Sequence, residues 1–159
     1  MNLQIYQRSI DFRAKKMKTL PVVVMTSKTI LLIYKDPNVR EVVQAYLTDL
    51  GGWNVRVANS TSEGLRQARL YQPDAIIWGN SLTEIDEMFL KQIRAEPATQ
   101  KIPIVILRIG SKWFDFQILE RYQVAAVIVD LLDPTMLTVK IANMLGWHID
   151  FKSDRTQER

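Results

Sequence analysis

Four short apolar runs rich in β-branched residues, and one short stretch of alternating apolar and polar residues, alternate with five segments whose apolar residues recur every three or four positions. The short runs fit buried strands, whereas the three-to-four spacing is typical of amphipathic helices. Strands are predicted at 29–34, 53–58, 75–78, 102–107 and 125–129, and helices at 37–50, 60–71, 88–96, 113–122 and 134–145. Because crossovers between parallel strands are right-handed, this alternation predicts an α/β fold with a doubly wound five-stranded parallel sheet in flavodoxin-like order.

The ends of the helical segments carry suitable capping residues. Asp36-Pro37 and Asp133-Pro134 each place a carboxylate at the N-cap, followed by a proline in the first helical turn. Gly51-Gly52 and Gly146 follow the first and last helical segments, where glycine commonly ends a helix. These residues therefore support the assigned alternation independently of the hydrophobic pattern.

The positive charge of the chain is concentrated before the first strand. The formal net charge is +4, but residues 1–28 carry six basic side chains against one acidic, and the remainder carries 15 basic and 16 acidic. We predict a basic, flexible leader at 1–27, a folded domain at 28–147 and a polar tail at 148–159. Because a basic arm can neutralise phosphates, a nucleic-acid-associated regulator is the alternative interpretation, although the near-neutral domain disfavours nucleic acid as a partner.

Composition argues against several kinds of catalytic and metal site. The chain has no cysteine, which excludes thiol nucleophiles and cysteine zinc sites. Its single histidine, His148, argues against a histidine metal site or a catalytic triad. No apolar stretch approaches the ~18 residues of a membrane span, and no secretory signal pattern is present. These features predict a cytoplasmic protein that is not an enzyme and holds no metal or cofactor.

Five markers occur together, in order: Asp36-Pro37 after the first strand, Pro73-Asp74 before the third, Arg94 to Pro97 ending the third helix, Ile102-Pro103 opening the fourth strand, and Asp133-Pro134. Over roughly residues 28–147 the chain thereby resembles the CheY-like receiver domain of bacterial two-component response regulators. The resemblance implies a three-layer α/β/α fold and a role in signal transduction. In that family a partner kinase's phosphoryl group is transferred to an Asp after strand three, with Mg²⁺ bound by an acidic pair after strand one.

The resemblance also assigns the positions of the phosphorylation site, and this chain departs from the family at each. Tyr34 and Lys35 stand at the acidic pair, Gly79 at the acceptor Asp, Arg108 at a Thr or Ser after strand four, and Asp130 at a Lys after strand five. Gly79 supplies no nucleophile, and Lys35 puts a cation where Mg²⁺ would bind. We therefore interpret the chain as a pseudo-receiver without the phosphoryl chemistry.

The charges at these positions are the reverse of the family's pattern. One hypothesis is that Lys35 or Arg108 forms an ion pair with Asp130 across the carboxyl ends of the strands. Three solvated loop side chains are the alternative, and an anion site for a phosphate group is another use of the same cations. The turn after the first strand lacks the glycine-rich loop that commonly holds phosphate.

Aromatic residues cluster near the start of the fourth helix, at Trp113, Phe114 and Phe116. Consecutive Trp and Phe side chains on a helix cannot both face one core, so we expect at least one to be exposed, as aromatics at interfaces are. Ordinary packing beneath the preceding loop is the alternative. The resemblance implies docking or homodimer formation through helix four, strand five and helix five. The chain is thus predicted to be a regulatory or adaptor module that acts through protein–protein contacts.

Overall fold

The computed structural model describes residues 27–80, 87–108, 115–129 and 134–148. They form a parallel sheet of five strands in the order β2-β1-β3-β4-β5, which confirms the predicted flavodoxin-like α/β fold. The elements in chain order are β1 (Thr29–Tyr34), α1 (Pro37–Asp49), β2 (Asn54–Ala58), α2 (Thr61–Tyr71), β3 (Ala75–Asn80), α3 (Glu87–Ala95), β4 (Ile104–Arg108), α4 (Phe116–Arg121), β5 (Ala126–Val129) and α5 (Pro134–Leu145).

The helices form two layers because successive side chains of a strand point to opposite faces of the sheet. On β1, Ile30 and Leu32 pack with residues of α1 and α5, whereas Leu31 and Ile33 pack with residues of α2 and α3. Partly buried residues of α4 join the second group. The three central strands, β1, β3 and β4, are therefore buried on both faces, which explains why they are continuous apolar runs in the sequence.

Three side chains, those of Asp36, Ser60 and Asp115, cap helix N-termini among the elements described. The Asp36 carboxylate accepts hydrogen bonds from the main-chain N–H groups of Asn38 and Val39, at 2.8 and 3.4 Å, as the sequence predicted. The Ser60 hydroxyl accepts one from the N–H of Glu63 at 3.2 Å. Each contact satisfies a donor that the helix itself cannot pair.

The boundaries of β3 and β4 differ from the sequence prediction. β3 continues through Gly79 and Asn80, which were predicted to begin a loop, because both positions pair with β4. β4 begins at Ile104 rather than at residue 102, after Pro103, which has no N–H to donate to a neighbouring strand. It also includes Arg108, which the prediction placed beyond the strand.

The fourth helix was predicted to begin at Trp113, but α4 begins at Phe116. The carboxylate of Asp115 accepts a hydrogen bond from the N–H of Gln117 at 2.9 Å and fixes this start. Trp113 and Phe114 lie outside the described residues. In the ranges that the structure does describe, no helix has the length and apolar character needed to cross a membrane.

Candidate functional site

The carboxyl ends of the strands bring three of the residues selected from the sequence to one edge of the sheet. Tyr34 is the last residue of β1 and lies opposite Gly79 on β3. Arg108, the last residue of β4, lies opposite Asn80 on one side and Val129 on the other. Ligands of open α/β folds bind at this edge, so the structure assembles Tyr34, Gly79 and Arg108 where a site is expected.

The ring of Tyr34 fills the space beside Gly79. Tyr34 is buried, with 1% of its surface exposed. A Cβ atom built on Gly79 would lie only 1.8 Å from Tyr34 Cδ2 and 1.9 Å from Cε2, whereas non-bonded carbon atoms prefer separations of about 3.5–4.0 Å. The close approach of the ring therefore requires glycine at residue 79.

The sequence alone does not reveal this packing, since in the sequence Tyr34 and Gly79 are two separate departures from the receiver pattern. The sequence does contain one indication of the contact: an aromatic residue and a glycine stand at the ends of two strands that are neighbours in flavodoxin-like order. Only the register of β1 against β3 shows that these two residues are in contact.

The hydroxyl of Tyr34 is buried and has no hydrogen-bond partner among the described residues. Burial raises the pKa of this phenol, and the negative charge of Asp36 raises it further, so the group is neutral at physiological pH. The main-chain carbonyl of Tyr34 accepts a hydrogen bond from Arg40 Nη1 at 2.9 Å, which joins the first turn of α1 to the end of β1.

The two cations at this edge lie in different environments. Lys35 is exposed and makes no salt bridge within the described ranges. Arg108 is only 7% exposed and belongs to β4, so the alternative interpretation of this residue as a solvated loop side chain is wrong. Asp130 lies outside the described residues, and its pairing with Lys35 or Arg108 stays a prediction.

The donor groups at this edge do not fit Mg²⁺, which prefers several oxygen ligands including carboxylates. Gly79 has no side chain, and Tyr34 presents a buried aromatic ring. The carboxylate of Asp36 is engaged in capping α1. Nowhere in the described ranges do three His, Cys, Asp or Glu side chains come together as a metal-binding group.

The aromatic cluster is represented in the described residues by Phe116 alone. Phe116 is the first residue of α4, and 74% of its surface is exposed. Val129, the last residue of β5, is also apolar and 51% exposed. Trp113 and Phe114, the other two residues selected from the sequence, lie outside the described ranges.

No protein-family profile matches the chain. A curated relative, response regulator Rre1 of Synechocystis, is 28% identical over 121 residues, which are 74% of this chain. The chain spans only about half of that relative, 52% of its length. Among solved structures, a response regulator from Chloroflexus aurantiacus superposes with a TM-score of 0.66 at 25% identity, covering 76% of this chain and 99% of that one. The chain folds as a response-regulator receiver domain.

Two further receiver structures show the same fold at lower identity. The chemotaxis protein CheY4 of Vibrio cholerae has a TM-score of 0.66 at 21% identity, covering 75% of this chain and 99% of CheY4. The receiver domain of the sensor histidine kinase PA1611 from Pseudomonas aeruginosa has a TM-score of 0.64 at 21% identity, covering 76% and 99%. The PA1611 domain holds a magnesium ion in its active-site cleft.

Proposed function

We propose that this receiver domain is a regulatory or adaptor module that accepts no phosphoryl group and acts through protein–protein contacts. The observation that carries the proposal is the Tyr34 ring packed against Gly79. Phosphoryl transfer needs a nucleophile and neutralisation of the charge that develops on the phosphoryl group. At the end of β3 there is no carboxylate, and the ring leaves no space for one.

The surroundings of Gly79 support the same proposal. The exposed cation of Lys35 and the capping role of Asp36 leave no pair of carboxylates to bind Mg²⁺ after β1. Without an acceptor and a metal, the domain has no means of phosphorylation-dependent switching. A non-enzymatic role follows from this proposal, and the cytoplasmic location stays a prediction from the sequence.

The proposal is tested by incubating the full chain with acetyl phosphate and Mg²⁺ and measuring the intact mass. We expect no phosphoryl adduct, whereas a phosphorylatable receiver domain treated in parallel gains one. Addition of beryllofluoride and Mg²⁺ is expected to leave the tryptophan fluorescence unchanged. An adduct on any residue, or a fluorescence change that requires beryllofluoride, would overturn the proposal.

The docking surface that we propose includes α4, β5 and α5. Phe116 on α4, Val129 on β5 and Met136 in the first turns of α5 are large apolar side chains, each about half exposed or more. Exposed aromatic and methionine side chains are enriched in protein interfaces, and these three elements are the ones that the receiver resemblance names. We propose that a second copy of the chain is one partner of this surface.

Replacement of Phe116 by glutamate is expected to weaken self-association about tenfold or more, because a buried phenyl group contributes about 1.5–3 kcal/mol. Sedimentation velocity over a range of protein concentrations measures the change. The control is Leu70→Glu, since Leu70 is 61% exposed on α2, outside the proposed surface. A wild-type protein that stays monomeric, or equal weakening by both variants, would contradict the proposed dimer surface.

A further inference from the structure

The side chains of α4 are only partly buried and anchor the helix weakly. With six residues α4 is the shortest helix described, and none of its side chains is fully buried. Ile118 and Leu119 are partly buried against the core. Since an isolated helix of this length is unstable in water, contacts from neighbouring elements must hold it.

The side chain and the main chain of Tyr122, the residue after α4, are both bonded to α3. The Tyr122 hydroxyl donates to Glu87 Oε1 at 2.9 Å, and Arg121 Nη1 donates to the same oxygen at 3.1 Å. Arg94 Nε donates to the Tyr122 carbonyl at 2.7 Å, and its Nη2 donates to the Gln123 carbonyl at 3.2 Å. Glu87 begins α3 and Arg94 lies at its end, so α3 contacts Tyr122 from both of its ends.

Arg94 also connects this turn to the segment before β4. Its Nη1 donates to the carbonyls of Gln100 and Ile102, at 2.9 and 2.8 Å. Burial lowers the pKa of the Arg94 guanidinium, and the described residues provide it with carbonyl acceptors but no salt bridge. One side chain therefore joins the end of α3 to the segments that precede β4 and β5.

Helix α3, which makes these contacts, is itself packed firmly against the core. Phe89, Leu90 and Ile93 of α3 are each at most 2% exposed within the core. The chain also turns sharply after Tyr122, because Gln123 has a φ of 51°, in the left-handed region that non-glycine residues rarely adopt. The contacts of Arg94 and Glu87 thus hold an unfavourable turn against a rigid helix.

We propose that Glu87, Arg94 and Tyr122 form a clamp that fixes α4, and with it Phe116, in one position. A fixed α4 keeps the Phe116 surface ready for its partner without a switching step. This consequence for docking rests on the proposed function. The clamp itself depends only on the contacts between α3, Tyr122 and the turn after it. It is a conformational device that keeps a weakly buried helix in place.

Amide hydrogen exchange of the full chain tests the clamp. In Tyr122→Phe, which removes only the hydroxyl bonded to Glu87, we expect the amides of α4 to exchange about tenfold faster, while those of α1 and β1 keep their rates. Arg94→Lys is expected to have a larger effect on the same amides. The control is Tyr71→Phe, since Tyr71 also ends a helix and is half exposed.

Two results would overturn the clamp. One is unchanged exchange of α4 in both Tyr122→Phe and Arg94→Lys. The other is an equal acceleration of all slow amides in Tyr122→Phe, which would mean that this substitution lowers only the global stability. Neither result depends on whether acetyl phosphate forms an adduct, so failure of the clamp is distinguishable from failure of the proposed function.

Discussion

Gly79→Ala is expected to lower the free energy of unfolding by about 3 kcal/mol, measured by urea denaturation. The added methyl group would lie within 2 Å of two ring atoms of Tyr34. Tyr34 is almost fully buried, and its ring cannot move away without displacing neighbouring core residues. Overpacking of this kind forces side chains off their preferred rotamers or shifts the backbone.

Gly64→Ala provides the control for Gly79→Ala. A Cβ atom on Gly64 would lie 2.3 Å from Ile33 Cδ1 and 2.9 Å from Ile33 Cγ1, and rotation about the last side-chain bond of Ile33 relieves the closer of these contacts. Alanine also favours the helix at residue 64 by about 1 kcal/mol, which offsets part of the strain. We therefore expect Gly64→Ala to lower the free energy of unfolding by less than Gly79→Ala does.

A double-mutant cycle attributes the effect to the contact itself. In a Tyr34→Ala background the space beside residue 79 is open, so Gly79→Ala is expected to cost nothing further. The coupling energy between the two substitutions is then about 3 kcal/mol, at the upper end of the range for residues in contact. If Gly79→Ala lowered stability equally in both backgrounds, the Tyr34 ring would not be the reason for the glycine.

The same packing opposes the introduction of an acceptor carboxylate at residue 79. Gly79→Asp alone would place a larger side chain and a negative charge against the Tyr34 ring, so it is expected to destabilise the domain rather than restore phosphorylation. An acceptor at residue 79 requires that Tyr34 be replaced at the same time. The two departures from the receiver pattern therefore depend on each other.

Arg94→Met is expected to lower the free energy of unfolding by roughly 3 kcal/mol, because methionine keeps the apolar stem and removes every donor. The carbonyls of Ile102 and Tyr122 are partly buried, and each would lose a hydrogen bond from a charged group. The carbonyls of Gln100 and Gln123 are exposed and can bond water instead, so they contribute little. Thermal or urea unfolding measures the loss.

Arg69→Met is the control, because it removes an arginine whose partner is an exposed carboxylate. Arg69 pairs with Glu96 through two of its nitrogens, and the two side chains are 48% and 32% exposed. Exposed ion pairs contribute little to stability, so we expect Arg69→Met to change unfolding far less than Arg94→Met. Similar losses of unfolding free energy in the two variants would show that the carbonyl contacts of Arg94 contribute no more to stability than an exposed ion pair does.

The sequence by itself determined the class of fold and the order of its elements. Strand and helix periodicity are local properties, and so are caps such as Asp36, since their partners lie within a few residues. The identities of Tyr34, Lys35, Gly79 and Arg108 could also be compared with the receiver pattern position by position. The contacts between these residues in the folded domain could not be deduced from that comparison.

Only the tertiary structure decided that the Tyr34 ring occupies the space beside Gly79, that Arg108 is buried within β4, and that Arg94 holds the turn after α4. Each depends on strand register or on contacts between residues far apart in the chain. Arg94 shows this most clearly, because in the sequence it belonged only to the end of a helix. Its acceptors are carbonyl groups, which every residue has, so no residue type marks them before the chain has folded.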